Sequence, residues 1–201
     1  GLVGSEMCIR DRHRVLGFPP VGWLVDQDSG LNPKFVEDQF RRIALTLARD
    51  FRNQNTRTVS ITGVKPRVGT TSIALSLGRS LNSIGVATLV LDGNALHADK
   101  RYTGRIRDPR GLSVANDETI PLEDLILPET ARFPPRISLG DTQKERAAAL
   151  SGTFAQAKRR LLEHYDMILV DAPPILISAD GEFAIDHSDA TLLAVASDSA
   201  N

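Results

Sequence analysis

Two segments constrain the fold more than any other part of the chain. Val86 to Leu91 (VATLVL) and Met167 to Val170 (MILV) are nearly unbroken apolar runs, and each is closed by an aspartate, Asp92 and Asp171. A strand with one face in water alternates apolar and polar residues, whereas a run apolar at almost every position has both faces covered. That is the condition of an interior strand in a parallel sheet. Parallel neighbours need crossover connections, usually helical, so the runs predict an α/β fold: a mostly parallel sheet flanked by helices in three layers.

The rest of the chain supplies those layers. Val36, Phe40, Ile43, Leu47 and Phe51 recur at three- and four-residue steps, which predicts an amphipathic helix over Asn32–Arg52 with Pro33 in its first turn. Thr58–Thr62 (TVSIT) reads as a strand. A loop with Pro66 and Gly69 follows it, then a helical stretch carrying Ile73, Ala74, Leu77 and Leu81 that ends at Asn82–Gly85. The segment 99–136 is rich in Arg, Asp, Gly and Pro and predicts excursion loops with one short helix over Leu122–Leu127. A brief strand at Arg136–Leu139, a long helix from about Glu145 to Glu163 and a strand at Ala190–Ala196 complete the alternation.

Composition narrows the function classes. The chain has 201 residues, 41% of them apolar, enough for one core, and a formal net charge of −1, which gives no general field for nucleic acid. Cys8 is the single cysteine, and His13, His97, His164 and His187 lack metal-ligand spacing, so disulfide and zinc chemistry are not indicated. No apolar run approaches the ~20 residues of a membrane-spanning helix. The first twelve residues (GLVGSEMCIRDR) look like a translated sequencing adapter. The expected organisation is a non-native leader at 1–12, a linker at 13–33 and one domain at 34–201, its C-terminal end truncated.

The chemistry gathers at three strand ends. The loop Lys65, Pro66, Arg67, Val68, Gly69, Thr70, Thr71, Ser72 joins the first strand to its helix. A phosphate-binding loop works because backbone N–H groups and the positive end of a helix dipole point at the phosphates, with a lysine on the terminal phosphates and a hydroxyl on magnesium. Here Thr70 stands at the lysine position, and Gly63 falls one residue early for the strict spacing. Asp92 and Asp171, each closing a hydrophobic strand, are carboxylates suited to the water shell of a nucleotide-bound magnesium. A lone aspartate after a strand is usually a cap or turn residue; two beside one such loop point to a site.

On these motifs the chain resembles the bacterial tyrosine autokinase domains attached to polysaccharide co-polymerases, over about 16–196. The matching stretches are Pro66 with Gly69-Thr70-Thr71, Asp92-x-Asn94-x-Leu96, and Tyr165-Asp166 leading to Asp171-Ala172-Pro173-Pro174. Gly111-Leu112-Ser113, Leu122-Glu123-Asp124 and Phe154 to Asp166 are further family-like stretches. The resemblance implies ATP and Mg2+ as cofactors, Thr71, Asp92 and Asp171 as metal residues, Asp92 and Asp171 as catalytic, and Ser72 on the α-phosphate. It also implies a membrane co-polymerase, in the same chain or as a partner subunit, at the inner face of the bacterial plasma membrane, and homo-oligomers.

The departures fall in one place. Thr70 replaces a lysine, Asn94 an aspartate and Leu96 an arginine, while Asp38-x-x-Arg41-x-x-Ala44 lacks one arginine of the family's assembly helix. Lys65 lies where related partition and cell-division-site ATPases carry an extra lysine, and Arg67 is a second candidate for phosphate. The tyrosine tail is missing; Tyr102 and Tyr165 are the chain's two tyrosines. Three readings stand: a nucleotide-binding regulatory pseudokinase of exopolysaccharide synthesis, chain length and export, an active tyrosine autokinase, or an interaction scaffold or partition-type ATPase. The arginines at 101, 105, 107 and 110 are left as a solvated face.

Overall fold

In the computed structural model, the described residues are 22, 24, 32–95 and 97–195. The expected leader, most of the linker, Cys8 and Leu96 lie outside them. The elements are α1 (Pro33–Gln54), β1 (Thr58–Gly63), α2 (Thr70–Ser83), β2 (Thr88–Asp92), α3 (Leu122–Leu125), β3 (Arg136–Ile137), α4 (Gln143–Ala148), α5 (Phe154–His164), β4 (Met167–Asp171), α6 (Ala179–Asp186) and β5 (Ala190–Ala194). The five strands form one parallel sheet in the order β3-β2-β4-β1-β5. The two apolar runs supply the interior strands β2 and β4, each buried at every position.

The register sorts the side chains into two cores. Val59, Ile61, Val90, Met167 and Leu169 meet α1 and α2 on one face, through Ile43, Leu47, Leu77 and Leu81. Leu89, Leu91, Ile168 and Val170 meet the other layer through Phe154, Leu161 and Ala184. Each fully buried Leu, Ile or Phe of this kind contributes about 1.5–3 kcal/mol. β1 is polar on the second face, and its Ser60 hydroxyl pairs with that of Thr191 at 2.8 Å while the Thr62 hydroxyl donates to the Pro173 carbonyl at 2.8 Å.

Several expected boundaries move. The second strand begins at Thr88 rather than Val86, because the Asn82 side chain bonds Thr88 N and O and ties the turn before it. The long helix expected over 145–163 opens earlier, on a capping box at Thr142 and Glu145, and passes through a π-helical turn at Ala149–Thr153. The brief strand stops at Ile137 rather than Leu139. Helix α6 had no forecast: its buried contacts are Gly181 and Ala184, too small to mark an amphipathic stripe. Among the described residues, no helix is long and apolar enough to cross a membrane.

Candidate functional site

The site is built where β1, β2 and β4 end. Gly63 closes β1, and a Cβ there would lie 2.3 Å from Val68 Cγ2 and 3.1 Å from the Lys65 carbonyl, so the loop can fold back only over glycine. The chain then turns through left-handed conformations at Arg67 (φ 63°) and Gly69 (φ 84°), and Gly69 is the N-cap of α2. No side chain caps this helix, and its first backbone bond runs from Ile73 N to Gly69 O at 2.9 Å. The opening N–H groups of α2 and the positive end of its dipole are thus available to an anion.

Across from the loop stand the two carboxylates. Asp92 and Asp171 are register partners on adjacent strands, and Gly93 lets the chains touch: a Cβ at 93 would sit 2.9 Å from the Asp171 carbonyl. Asp92 is 2% exposed; its Oδ1 accepts from Asn94 N at 3.1 Å, and its Oδ2 is buried with no hydrogen-bond partner among the described residues. Asp171 accepts a hydrogen bond from the buried Tyr102 hydroxyl at 3.0 Å. Thr70, Thr71, Asp92 and Asp171 share a cleft of about 210 Å³ with Asn94 and Asp99. Of the other loop residues, Lys65, Pro66, Arg67 and Gly69 are exposed and Val68 and Ser72 half-buried; none of these six lines the cleft.

Burial raises the Asp92 carboxyl to about 7, aided by the charges of Asp171 and Asp99 and opposed by the backbone N–H groups of Asn94 and Asp99. Burial also raises Asp171, to about 6, against the Thr71 and Tyr102 hydroxyls and the charge of Arg101. A divalent cation would reverse this cost: Mg2+ takes oxygen donors and is held by one or two carboxylates with phosphates and waters completing its shell. Two carboxylates, one of them with an unpartnered oxygen, and the Thr71 hydroxyl fit that requirement. No cluster of three or more His, Cys, Asp or Glu suited to a metal occurs among the described residues, so the donor set does not resemble an all-protein cage.

The sequence singled out Asp92, Asp171, Thr70 and Thr71, and the structure brings those four together. It overlooked the segment that roofs them. Asp99 holds Arg101 in a two-pronged ion pair (2.9 and 2.7 Å), Arg101 Nη1 reaches Ser72 Oγ at 3.0 Å, and Tyr102 plugs into Asp171. The available signal was one aromatic inside an otherwise polar loop.

The sequence model of the family described as cellulose biosynthesis protein BcsQ matches residues 56–201. The chain belongs to this family. This BcsQ-family chain is also similar to the tyrosine-protein kinase CpsD of Streptococcus pneumoniae, 25% identical over 147 residues that make up 72% of this chain and 65% of CpsD. It is 23% identical to CapB of Staphylococcus aureus over 168 residues, 79% of this chain and 74% of CapB. Among solved structures, the kinase domain of the Escherichia coli tyrosine kinase ETK superposes with a TM-score of 0.74 at 15% identity, covering 92% of this chain and 80% of that one. The septum site-determining protein MinD of Pyrococcus horikoshii, complexed with Mg-ADP, superposes with a TM-score of 0.54 at 21% identity, covering 70% and 58%. The fold is therefore that of P-loop nucleoside triphosphatases, and the family associates the chain with polysaccharide biosynthesis.

Proposed function

We propose that the chain is a magnesium-dependent nucleotide-binding module that regulates polysaccharide synthesis by its conformation, with phosphoryl transfer suppressed. The observation that carries the reading is the unpartnered, buried Oδ2 of Asp92 beside Asp171, in a cleft that opens at an uncapped helix N-terminus. An isolated buried carboxylate oxygen is a standing cost of about 1–3 kcal/mol or more, which a cation would remove. At about 210 Å³ the cleft is smaller than the ~300 Å³ at which whole-ligand pockets begin, and it suits phosphates and an ion with the base and sugar lying outside. The Mg-ADP complex of MinD, on the same fold, supports this assignment of ligand.

Suppressed transfer follows from position 70. A threonine cannot place a positive charge on the terminal phosphates, and one charge-assisted hydrogen bond to phosphate is worth about 1.5–3 kcal/mol. In the transition state, where charge develops, its loss costs more. The chain's own tyrosines are poor acceptors as they stand: Tyr102 is 2% exposed and engaged with Asp171, and Tyr165 is half-buried. A co-polymerase at the inner face of the plasma membrane is the proposed partner, in keeping with the resemblance to co-polymerase-linked tyrosine autokinases, and the roles given to Thr71, Asp92 and Asp171 as magnesium residues belong to this proposal.

Titration with a fluorescent ATP analogue, with and without magnesium, tests the reading. Saturation below the millimolar range that disappears without magnesium is expected, together with tighter binding by Thr70→Lys. A folded chain that ignores the nucleotide, and gains it only as Thr70→Lys, would make the protein a scaffold on an inherited framework.

A further inference from the structure

Arg101 is fixed in place more thoroughly than a half-exposed loop cation needs to be. Its Nε and Nη2 hold the two oxygens of Asp99 at 2.9 and 2.7 Å, its backbone N–H donates to Asp99 Oδ1 at 2.8 Å, and its carbonyl accepts from Arg136 Nε. Arg136 is itself buried and stacks on Phe133 at 4.8 Å. The next residue, Tyr102, is anchored through its hydroxyl on Asp171. With two nitrogens occupied, the remaining edge has one direction, and Nη1 points to Ser72 Oγ at 3.0 Å, in the first turn of α2.

We propose that Arg101 binds the nucleotide phosphates at the Ser72 end of the loop and supplies there the positive charge that residue 70 lacks. The assignment rests on the nucleotide-binding reading. The guanidinium lies beside the uncapped N-terminus of α2, just outside the cleft but bonded to Asp99 of its lining, and Asp92, buried and unpartnered at Oδ2, marks that adjoining cleft as incomplete without a ligand. Charge argues the same way. Asp92, Asp99 and Asp171 line the cleft, and a magnesium ion offsets only part of what three carboxylates and a diphosphate bring together. Arginine suits the task because its planar fork can keep a carboxylate on one edge and offer N–H groups to phosphate on another, whereas a lysine ammonium has no second edge. As a mere staple the contact would be redundant: exposed ion pairs contribute little, and Tyr102 and Arg136 already secure the segment.

The arrangement also makes a statement about which phosphate is touched. By resemblance Ser72 serves the α-phosphate, so Arg101 acts on ADP as on ATP. Isothermal titration of the whole chain with Mg-ADP is therefore the experiment. Arg101→Gln is expected to weaken binding about 10- to 100-fold, the range of a charge-assisted contact. Arg101→Lys, which cannot hold Asp99 and Ser72 together, is expected to weaken it about 3- to 10-fold. Wild-type binding with Arg101→Gln within twofold of it overturns this assignment and leaves the nucleotide reading intact. No Mg-ADP binding by the folded wild type overturns both. Should Arg101→Gln lose its circular dichroism signature, Arg101→Lys decides alone: weakening of threefold or more supports the assignment, and an unchanged affinity overturns it.

Discussion

The two walls of the cleft are built differently. The loop wall meets the cleft through Thr70 and Thr71; behind them Lys65, Pro66, Arg67 and Gly69 are exposed outside it, the turn needs two left-handed residues, and the expected lysine is Thr70. On the opposite wall, Asp92 and Asp171 are buried in register, tied by Gly93, Asn94 and Tyr102. An exposed loop can lose a side chain with little effect on the fold. Two buried carboxylates, in contrast, cost stability continuously, and their upward-shifted titration is the sign of that cost. The comparison teaches that the buried carboxylate pair and the exposed loop can vary independently in this fold.

The sharpest way to break the comparison is Asp171→Asn. Removing a buried charge from the proposed ion-binding pair costs about 2–5 kcal/mol, so magnesium-dependent nucleotide affinity should fall roughly 30-fold or more in a titration, far beyond the effect of Lys65→Ala on the loop. Next comes Gly93→Ala. The added Cβ would meet the Asp171 carbonyl at 2.9 Å and Val170 Cγ1 at 3.0 Å, so backbone has to move, and denaturant melts should show a loss of about 1–3 kcal/mol.

A third prediction concerns pH. Asp92 and Asp171 titrate at about 7 and about 6 in the folded chain against an ordinary 3.8, so the folded state holds more protons than the unfolded one across that interval. Their contribution is fully present below 3.8 and is lost as pH rises through about 6 and about 7. Without magnesium, stability should therefore decline from roughly pH 4 to pH 7, with a slope approaching ~1.4 kcal/mol per pH unit for each group between its unfolded and folded values. Asp92→Asn should flatten that slope in thermal melts, as should added magnesium. The smallest effect belongs to the loop wall: Gly69→Ala meets no atom within 4 Å and bears only the strain of a positive φ, about 1 kcal/mol. A cost above that of Gly93→Ala would reverse the ranking of the two walls.

What the sequence made legible follows the same division. Continuous apolar runs announced β2 and β4 because interior strands have no solvent face to encode, and the terminal aspartates stood out against them. Helix α1 was equally plain from its stripe. Helix α6 was not, because Gly181 and Ala184 pack through closeness of backbone rather than through size. The roof formed by Asp99, Arg101 and Tyr102 was hidden for another reason: a segment rich in Arg and Asp has the composition of a solvated loop, and only the fold shows that Tyr102 is buried 69 positions from its partner Asp171. Lys65 and Arg67, which the motif made conspicuous, line no part of the cleft.

The π-helical turn at Ala149–Thr153 has a consequence for helix phase. Arg146 must face the end of the loop after β2, where its Nε donates to the Ala95 carbonyl at 3.0 Å, while Phe154 must face the core, edge-on to Phe183 at 5.2 Å. Eight residues of ordinary α-helix would rotate one about 80° from the other, and a turn that absorbs one extra residue brings them to within about 20°. Removing a single residue from 149–153 would keep the two halves in phase on a regular helix, whereas rewinding all five residues as ordinary α-helix would set them out of phase. The chain would then have to choose between its phenylalanine core and the buttress behind Asp92.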